Sequence, residues 1–172
     1  MIKLEKQYFN EAYMILKDAF PAAELRQKEK IYELFIKEEL TIYGLKHKDE
    51  IVAVLLCWHF DDFLFLENFA VKEKYRGIGY GSQILSDIKS EYKGLIILEV
   101  EKPYDDYSQK RICFYEKNGF KLNPFGYNQP PFVHCDEDIP LWIMSTPDLI
   151  SKEVFYVIKK MIFDKVYKKK LD

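Results

Sequence analysis

Three strand-like runs joined by two-residue turns constrain this chain most: Thr41 to His47, Glu50 to Phe60 and Phe63 to Val71, linked by Lys48-Asp49 and Asp61-Asp62. Connections this short join antiparallel neighbours, because a parallel crossover needs a far longer excursion. The middle run is β-branched and aromatic and reads as a buried strand. After Val71 the pattern changes. Gly79 to Tyr92 has helical spacing, with Ile84, Leu85 and Ile88 inward, and Gly94 ends it. Leu95 to Val100 is a continuous apolar run, as in a strand covered on both faces. Ser108 to Asn118 is a helix that Gly119 stops. Phe120 to Leu122 and Pro140 to Ser145 read as late strands, and Ser151 to Leu171 as a final helix. Ahead of the meander come a short strand over Leu4 to Lys6, a helix over Asn10 to Phe20 stopped by Pro21, and a helix over Ala22 to Leu40. The predicted fold is α/β (α+β with a mixed sheet): an antiparallel meander, then strand-helix-strand-helix-strand, then a C-terminal helix.

A chain of 172 residues suits one hydrophobic core and is short for two, so a single domain over 1–172 is expected. The net charge of −2, with both signs interspersed, gives no electrostatic case for nucleic acid. Three cysteines without regular spacing argue against a disulfide framework and fit a reducing compartment. The N-terminus lacks the apolar core of a signal peptide, and the longest apolar stretch, Ile51 to Trp58, is too short to span a bilayer. No membrane association and a cytoplasmic location are expected. Val154, Phe155, Ile158, Met161, Ile162 and Val166 make the final helix amphipathic with a basic outer face. Docking on the domain is its plain reading, and a membrane or partner surface the alternative.

The segment Arg76-Gly77-Ile78-Gly79-Tyr80-Gly81 lies between a strand and a helix. Glycines at alternate positions tolerate positive φ and let backbone approach a bulky ligand. The free N–H groups of a helix start, with the helix dipole, favour an anion, and Arg76 adds a planar cation suited to phosphate. A Walker A loop needs Gly-Lys-Ser/Thr, whereas Gly81 is followed by Ser82 and Gln83. The dinucleotide pattern G-x-G-x-x-G fails too: counting from Gly77 its sixth position is Ser82, and from Gly79 it is Ile84. A glycine-rich turn with no ligand is the plain alternative.

The stretch from Glu67 through Asn68, Phe69, Ala70 and Val71 to Gly81 resembles the acetyl-CoA motif of the GNAT superfamily of N-acetyltransferases, Arg/Gln-x-x-Gly-x-Gly/Ala, with its preceding strand. Phe114-Tyr115-Glu116-Lys117-Asn118-Gly119-Phe120 resembles the family's second motif. The resemblance covers residues 40 to 123 and implies acetyl-CoA as co-substrate; no metal is expected, since no cluster has zinc-site spacing. It implies that the strand Phe63 to Val71 splays from the strand Leu95 to Val100, opening a slot for the pantetheine arm. Backbone groups of Phe69, Ala70 and Val71 would bond that arm, and Arg76, Gly77, Ile78, Gly79, Tyr80, Gly81 and Ser82 would take the pyrophosphate. Many relatives carry Asn seven residues and Ala four residues before the motif tyrosine. Here these are Ser108 and Arg111. Ser108 has two readings, a coenzyme contact and an N-cap.

Acetyl transfer needs a base for the amine, a donor for the carbonyl oxygen and an acid for the thiolate. The resemblance places Tyr115 beside the sulfur, and a phenol is protonated at neutral pH and can donate. The plain alternative for Tyr115 is a core tyrosine. The Val71 backbone N–H is the expected oxygen donor. Glu67, a carboxylate within an apolar strand, is the leading base or ammonium-binding candidate, because burial would raise its pKa. Glu99 and Glu101, on one face of the next strand, compete with it, and a water chain could replace all three. The expected partner is a small-molecule amine. Similarity of Phe65 to Phe69 and Arg76 to Ser82 to spermidine/spermine acetyltransferases points to a polyamine-like one. A protein N-terminus or lysine, or a non-catalytic acyl-CoA-sensing module, are the alternatives. A homodimer follows by analogy with the superfamily. The Pro- and aromatic-rich segment from Asn123 to Phe132 is expected as an irregular loop that walls the acceptor site or simply covers the surface. His134-Cys135-Asp136 lacks zinc-site spacing, and His47 and His59 read as exposed, with a substrate contact the alternative.

Overall fold

A computed structural model describes residues 1–132 and 138–169. The described residues contain seven strands and five α-helices, a mixed α/β fold of the predicted class. The described chain divides into two compact units. One holds residues 1–96 with the segment that begins at Pro131. The other holds residues 97–130 and those from Asp138 onward.

In the first unit, β1 (Ile2–Lys3), β2 (Thr41–His47), β3 (Glu50–His59) and β4 (Phe63–Val71) are antiparallel neighbours in that order, as the short turns require. Every residue from Ile51 to Trp58 is 0% exposed, so β3 is covered on both faces. The helix α1 (Phe9–Ala19) buries Phe9, Ala12, Ile15 and Leu16 and packs on β3 and β4. The stretch expected as one helix from Ala22 to Leu40 is helical only over α2 (Lys28–Ile36). Residues 22–27 stay out of the helix because Leu25 and Arg26 turn inward, Arg26 to reach Glu67. Glu38, at φ 59, marks the far end. The first strand is Ile2–Lys3 rather than Leu4 to Lys6. Leu4 N–H still bonds the Ile42 carbonyl at 2.8 Å, but Lys6–Tyr8 already winds into a 3-10 turn. The helix α3 (Tyr80–Glu91) buries Ile84, Leu85 and Ile88 and contacts β2, β3 and β4.

In the second unit the strand order is β5 (Leu95–Glu101, entering from the unit boundary), β7 (Ile139–Thr146), β6 (Lys121–Gln129). The segment after Leu122, expected as an irregular loop, is instead most of β6, antiparallel to β7. Pro124 is accommodated because the register shifts between Leu122 and Gly126, a bulge where its missing N–H is harmless. Asn123, fully buried, anchors that bulge by donating to Ser145 Oγ and the Ile143 carbonyl and accepting from Ile150 N–H. The helix α4 (Asp106–Lys117) starts earlier than expected, and its N-cap is Asp105 rather than Ser108. The helix α5 (Lys152–Ile162), capped by Ser151, passes into a π-helical turn over Phe163–Tyr167 and stops at Lys168, φ 54, short of the expected Leu171. Leu171 and the triplet His134-Cys135-Asp136 lie outside the described residues.

Candidate functional site

The glycine loop joins β4 to α3 through a 3-10 turn over Glu73–Tyr75. Gly77 has φ 76 and Gly79 φ 100, conformations open to glycine and strained for other residues. A Cβ at either position would meet nothing within 4 Å, so the loop's outer side is open space. Gly79 is the N-cap of α3, and the first intrahelical bond runs from Gln83 N–H to the Gly79 carbonyl at 3.0 Å. The N–H groups of Tyr80, Gly81 and Ser82 therefore lack a partner one turn back, as at any helix start. Arg76 Nε donates to the Val71 carbonyl at 3.0 Å, which folds its guanidinium back along the end of β4. This backbone fits an anionic phosphate group: open space, left-handed glycines, orphan amides and an adjacent cation.

The hydrogen-bond phase of β4 is set by its partner. Lys72 N–H bonds the Val52 carbonyl at 2.9 Å, so the next pair, Val71 opposite Ala53, is a non-hydrogen-bonded pair. By alternation so is Phe69 opposite Leu55. The backbone N–H and C=O groups of Phe69 and Val71 thus point away from β3, while Ala70 is engaged with it.

Glu67 occupies a β-bulge: Asn68 pairs with Leu56 and Leu66 with Cys57, leaving Glu67 without an opposite residue. Bulges re-aim side chains, and this one sends a carboxylate inward. Its side chain is 2% exposed although the residue as a whole is half-buried, so the accessible part is main chain. Arg26 Nε donates to Oε1 at 2.9 Å and Trp58 Nε1 to Oε2 at 2.8 Å. The Arg26 guanidinium also sits 4.2 Å from the Phe132 ring centroid and 5.6 Å from that of Trp58, and Phe132 N–H bonds the Ala23 carbonyl at 3.3 Å. Arg26, Trp58 and Phe132 were not singled out from the sequence. A lone arginine in an apparently helical stretch carries no signal that it will pair with a residue 41 positions away.

Tyr115 lies on α4 in the second unit, 8% exposed, its ring edge-on to Phe114 and Phe120. Burial pushes its phenol up to about 12, with Arg111 pulling slightly the other way, so the hydroxyl stays protonated well beyond neutrality. Ser108 is the third residue of α4 and closes a capping box. Its N–H bonds Asp105 Oδ1 at 2.8 Å, and its hydroxyl accepts from Asp105 N–H and donates back to Asp105. Of the competing carboxylates, Glu99 accepts from the Tyr167 hydroxyl at 2.8 and 2.9 Å, and Glu101 pairs with Arg111 at 2.8 Å. No helix of the described residues is long and apolar enough to cross a membrane.

Comparison with known proteins finds relatives of the chain and of its fold. The family model of the acetyltransferase (GNAT) domain matches residues 38–122. The chain is 28% identical over 159 residues to the Bacillus subtilis (strain 168) protein YjbC, named provisionally as an acetyltransferase, covering 90% of this chain and 80% of that protein. Among solved structures, a provisionally named GNAT-family acetyltransferase from Bacteroides thetaiotaomicron superposes with a TM-score of 0.91 at 27% identity, covering 98% of each chain. An aminoglycoside 6'-N-acetyltransferase complexed with coenzyme A has the same fold, with a TM-score of 0.64 at 15% identity over 85% of this chain and 96% of that one.

Proposed function

The chain belongs to the GNAT family of acetyltransferases, and from that premise we propose that it moves the acetyl group of acetyl-CoA onto a primary amine of a small molecule, by direct attack within a ternary complex. The observation that carries this reading is the run from Phe69 to Ser82: strand backbone turned away from its neighbour, followed by open left-handed glycines at a helix start. A structural relative complexed with coenzyme A supports the choice of donor.

Acetyl-CoA supplies an acetyl group activated as a thioester. On this reading the chain's residues do the rest. The Phe69 and Val71 backbone groups and the intervening Ala70 align the pantetheine arm, and Val71 N–H donates to the thioester carbonyl oxygen as negative charge grows there. Arg76, Gly77, Ile78, Gly79, Tyr80, Gly81 and Ser82 take the pyrophosphate through backbone N–H groups and the guanidinium. Ser108 contributes through the capping box that fixes the first turn of α4. Tyr115, protonated at every physiological pH, donates to the departing sulfur. Glu67 keeps one lone pair free on each oxygen beyond the bonds from Arg26 and Trp58. Because its side chain is buried, it acts on the amine through a water rather than by contact. Arg26 offsets the Glu67 charge, so Glu67 by itself gives a cationic acceptor little attraction.

The test is thiol release from acetyl-CoA across a panel of small amines, polyamines, amino acids and N-terminal peptides. Turnover with a small amine, lost in Tyr115→Phe, is expected. Tight CoA binding with no acetylation of any panel member would replace the enzyme by a sensing module. Turnover confined to peptides would move the acceptor to a protein.

A further inference from the structure

Two tyrosines bracket the glycine loop: Tyr75 immediately precedes Arg76, and Tyr80 immediately follows Gly79. Both hydroxyls are directed at a single place outside the motif. Tyr75 donates to Glu50 Oε2 at 2.7 Å, and Tyr80 shares a 2.6 Å hydrogen bond with His47 Nδ1. His47 and Glu50 face each other in register as the closing pair of the β2–β3 hairpin. The three rings also pack together. Their centroids lie 5.8 Å apart for His47 and Tyr75, 5.7 Å for His47 and Tyr80, and 5.7 Å for the two tyrosines, which meet edge to face. Glu50 is held further by Lys74 and Lys72, and Lys72 in turn by Glu11 of α1. These bonds keep the Glu50 carboxylate low, at about 2, chiefly through Lys74 and Tyr75, so it is an anion throughout the physiological range.

Between the two tyrosines, Arg76 is bonded back to Val71 and Glu73 and the Gly79 carbonyl accepts the first helical bond, but no side chain packs the glycines themselves. Side chains added at Gly77 and Gly79 would meet no atom within 4 Å, so packing does not fix these residues, and glycine has the most backbone freedom to lose on ordering. A loop that must present several N–H groups to one anion gains affinity when its shape is set beforehand. Here that can come from its ends.

We propose that the His47–Tyr80 and Glu50–Tyr75 pairs form a two-point clamp that presets the glycine loop, making the tip of the β2–β3 hairpin a positioning element for the CoA pyrophosphate. The clamp rests on the reading that Arg76 to Ser82 take the pyrophosphate, and it assigns His47 and Glu50, which lie outside the motif, a part in donor affinity. It acts through the loop, with no contact between the clamp side chains and the coenzyme required.

The test uses Tyr75→Phe, Tyr80→Phe and the double variant, which keep the rings and remove only the hydroxyls, alongside Gly79→Val as a probe of the loop itself. CoA affinity is measured by calorimetry, and pantetheine, which lacks the pyrophosphate, by displacement. Amide exchange over residues 76–82 is followed in the ligand-free protein. Each single variant is expected to weaken CoA roughly threefold and the double variant roughly tenfold, about one hydrogen bond's worth per site, with pantetheine unchanged within about twofold and faster loop exchange. Unchanged CoA affinity in the double variant, with Gly79→Val impaired, overturns the clamp and leaves the pyrophosphate reading intact. Unimpaired CoA binding in Gly79→Val removes the pyrophosphate reading and the clamp with it. Equal losses for CoA and pantetheine would mean general damage and also overturn it.

Discussion

Replacing Arg26 by methionine removes the cation from a buried ion pair while keeping most of the side-chain volume. The side chains of Arg26 and Glu67 are 9% and 2% exposed, so bulk water does not solvate the stranded carboxylate and one bridging water at most stands in for the guanidinium, while of its two protein donors Glu67 keeps only the Trp58 indole N–H at 2.8 Å. Breaking one side of such a pair costs about 3–5 kcal/mol. Loss of the guanidinium near the Phe132 and Trp58 rings adds about 0.5–1 kcal/mol. Against a total stability on the order of 5–15 kcal/mol, that is a large fraction. The second half of the cycle discriminates. Glu67→Gln in the Arg26→Met background removes the stranded charge and keeps an oxygen for the indole, and should recover about 2–4 kcal/mol, a coupling of the size seen between contacting groups. Urea unfolding followed by tryptophan fluorescence reads all four proteins, with Trp58 itself as a reporter in the cluster. An Arg26→Met cost under about 1 kcal/mol, or additive single costs, would show that the pair is solvated in solution and that the bulge does not bury a charge.

Gly79→Val forces a β-branched residue to φ 100 with open space around it, so the damage is to backbone alone. It should cost about 1–3 kcal/mol of stability or displace the loop, and weaken CoA at least tenfold by calorimetry. Tyr115→Phe should lower the maximal rate by about 100-fold with CoA affinity retained, the signature of a group used in the chemical step. The same substitution tests the raised phenol. With an ordinary value of 10.0 unfolded and about 12 folded, the folded state holds its proton longer. That contribution is complete below pH 10 and is lost as pH rises through 12, so wild type should lose about 2–3 kcal/mol over that interval more than Tyr115→Phe does. Asp105→Ala opens the capping box at the start of α4 and should cost about 1 kcal/mol in thermal or urea unfolding, while Ser108→Ala, which leaves the Asp105 acceptor in place, should cost less.

Local pattern alone determined much of this protein. Two-residue turns can only join antiparallel strands, and β2, β3 and β4 follow from them. The apolar spacing in Ile84, Leu85 and Ile88 fixes the inner face of α3. The positive φ of Gly77 and Gly79 and the orphan amides of the helix start were legible because each is a backbone requirement written into consecutive residues, whereas Tyr115 was singled out only through its resemblance to a family motif. Most of the expectations that failed were those in which a distant partner overrides local preference. Residues 22–27 have helical composition, yet Arg26 gains more from Glu67, Trp58 and Phe132 than from continuing α2. Pro124 suggested a loop, but Asn123, buried and bonded to Ser145 and Ile150, holds a bulge that lets β6 run past it. Asp105 rather than Ser108 is the cap because its carboxylate, three residues earlier, accepts from the Ser108 N–H and so draws Ser108 into the first turn of the helix. Tertiary structure alone decided the direction in which β4 turns its backbone, the burial of Glu67 in a bulge, and the tie from His47 and Glu50 to the two tyrosines around the loop. Each depends on strand register and on contacts spanning tens of residues, and periodicity along the chain carries no information about either.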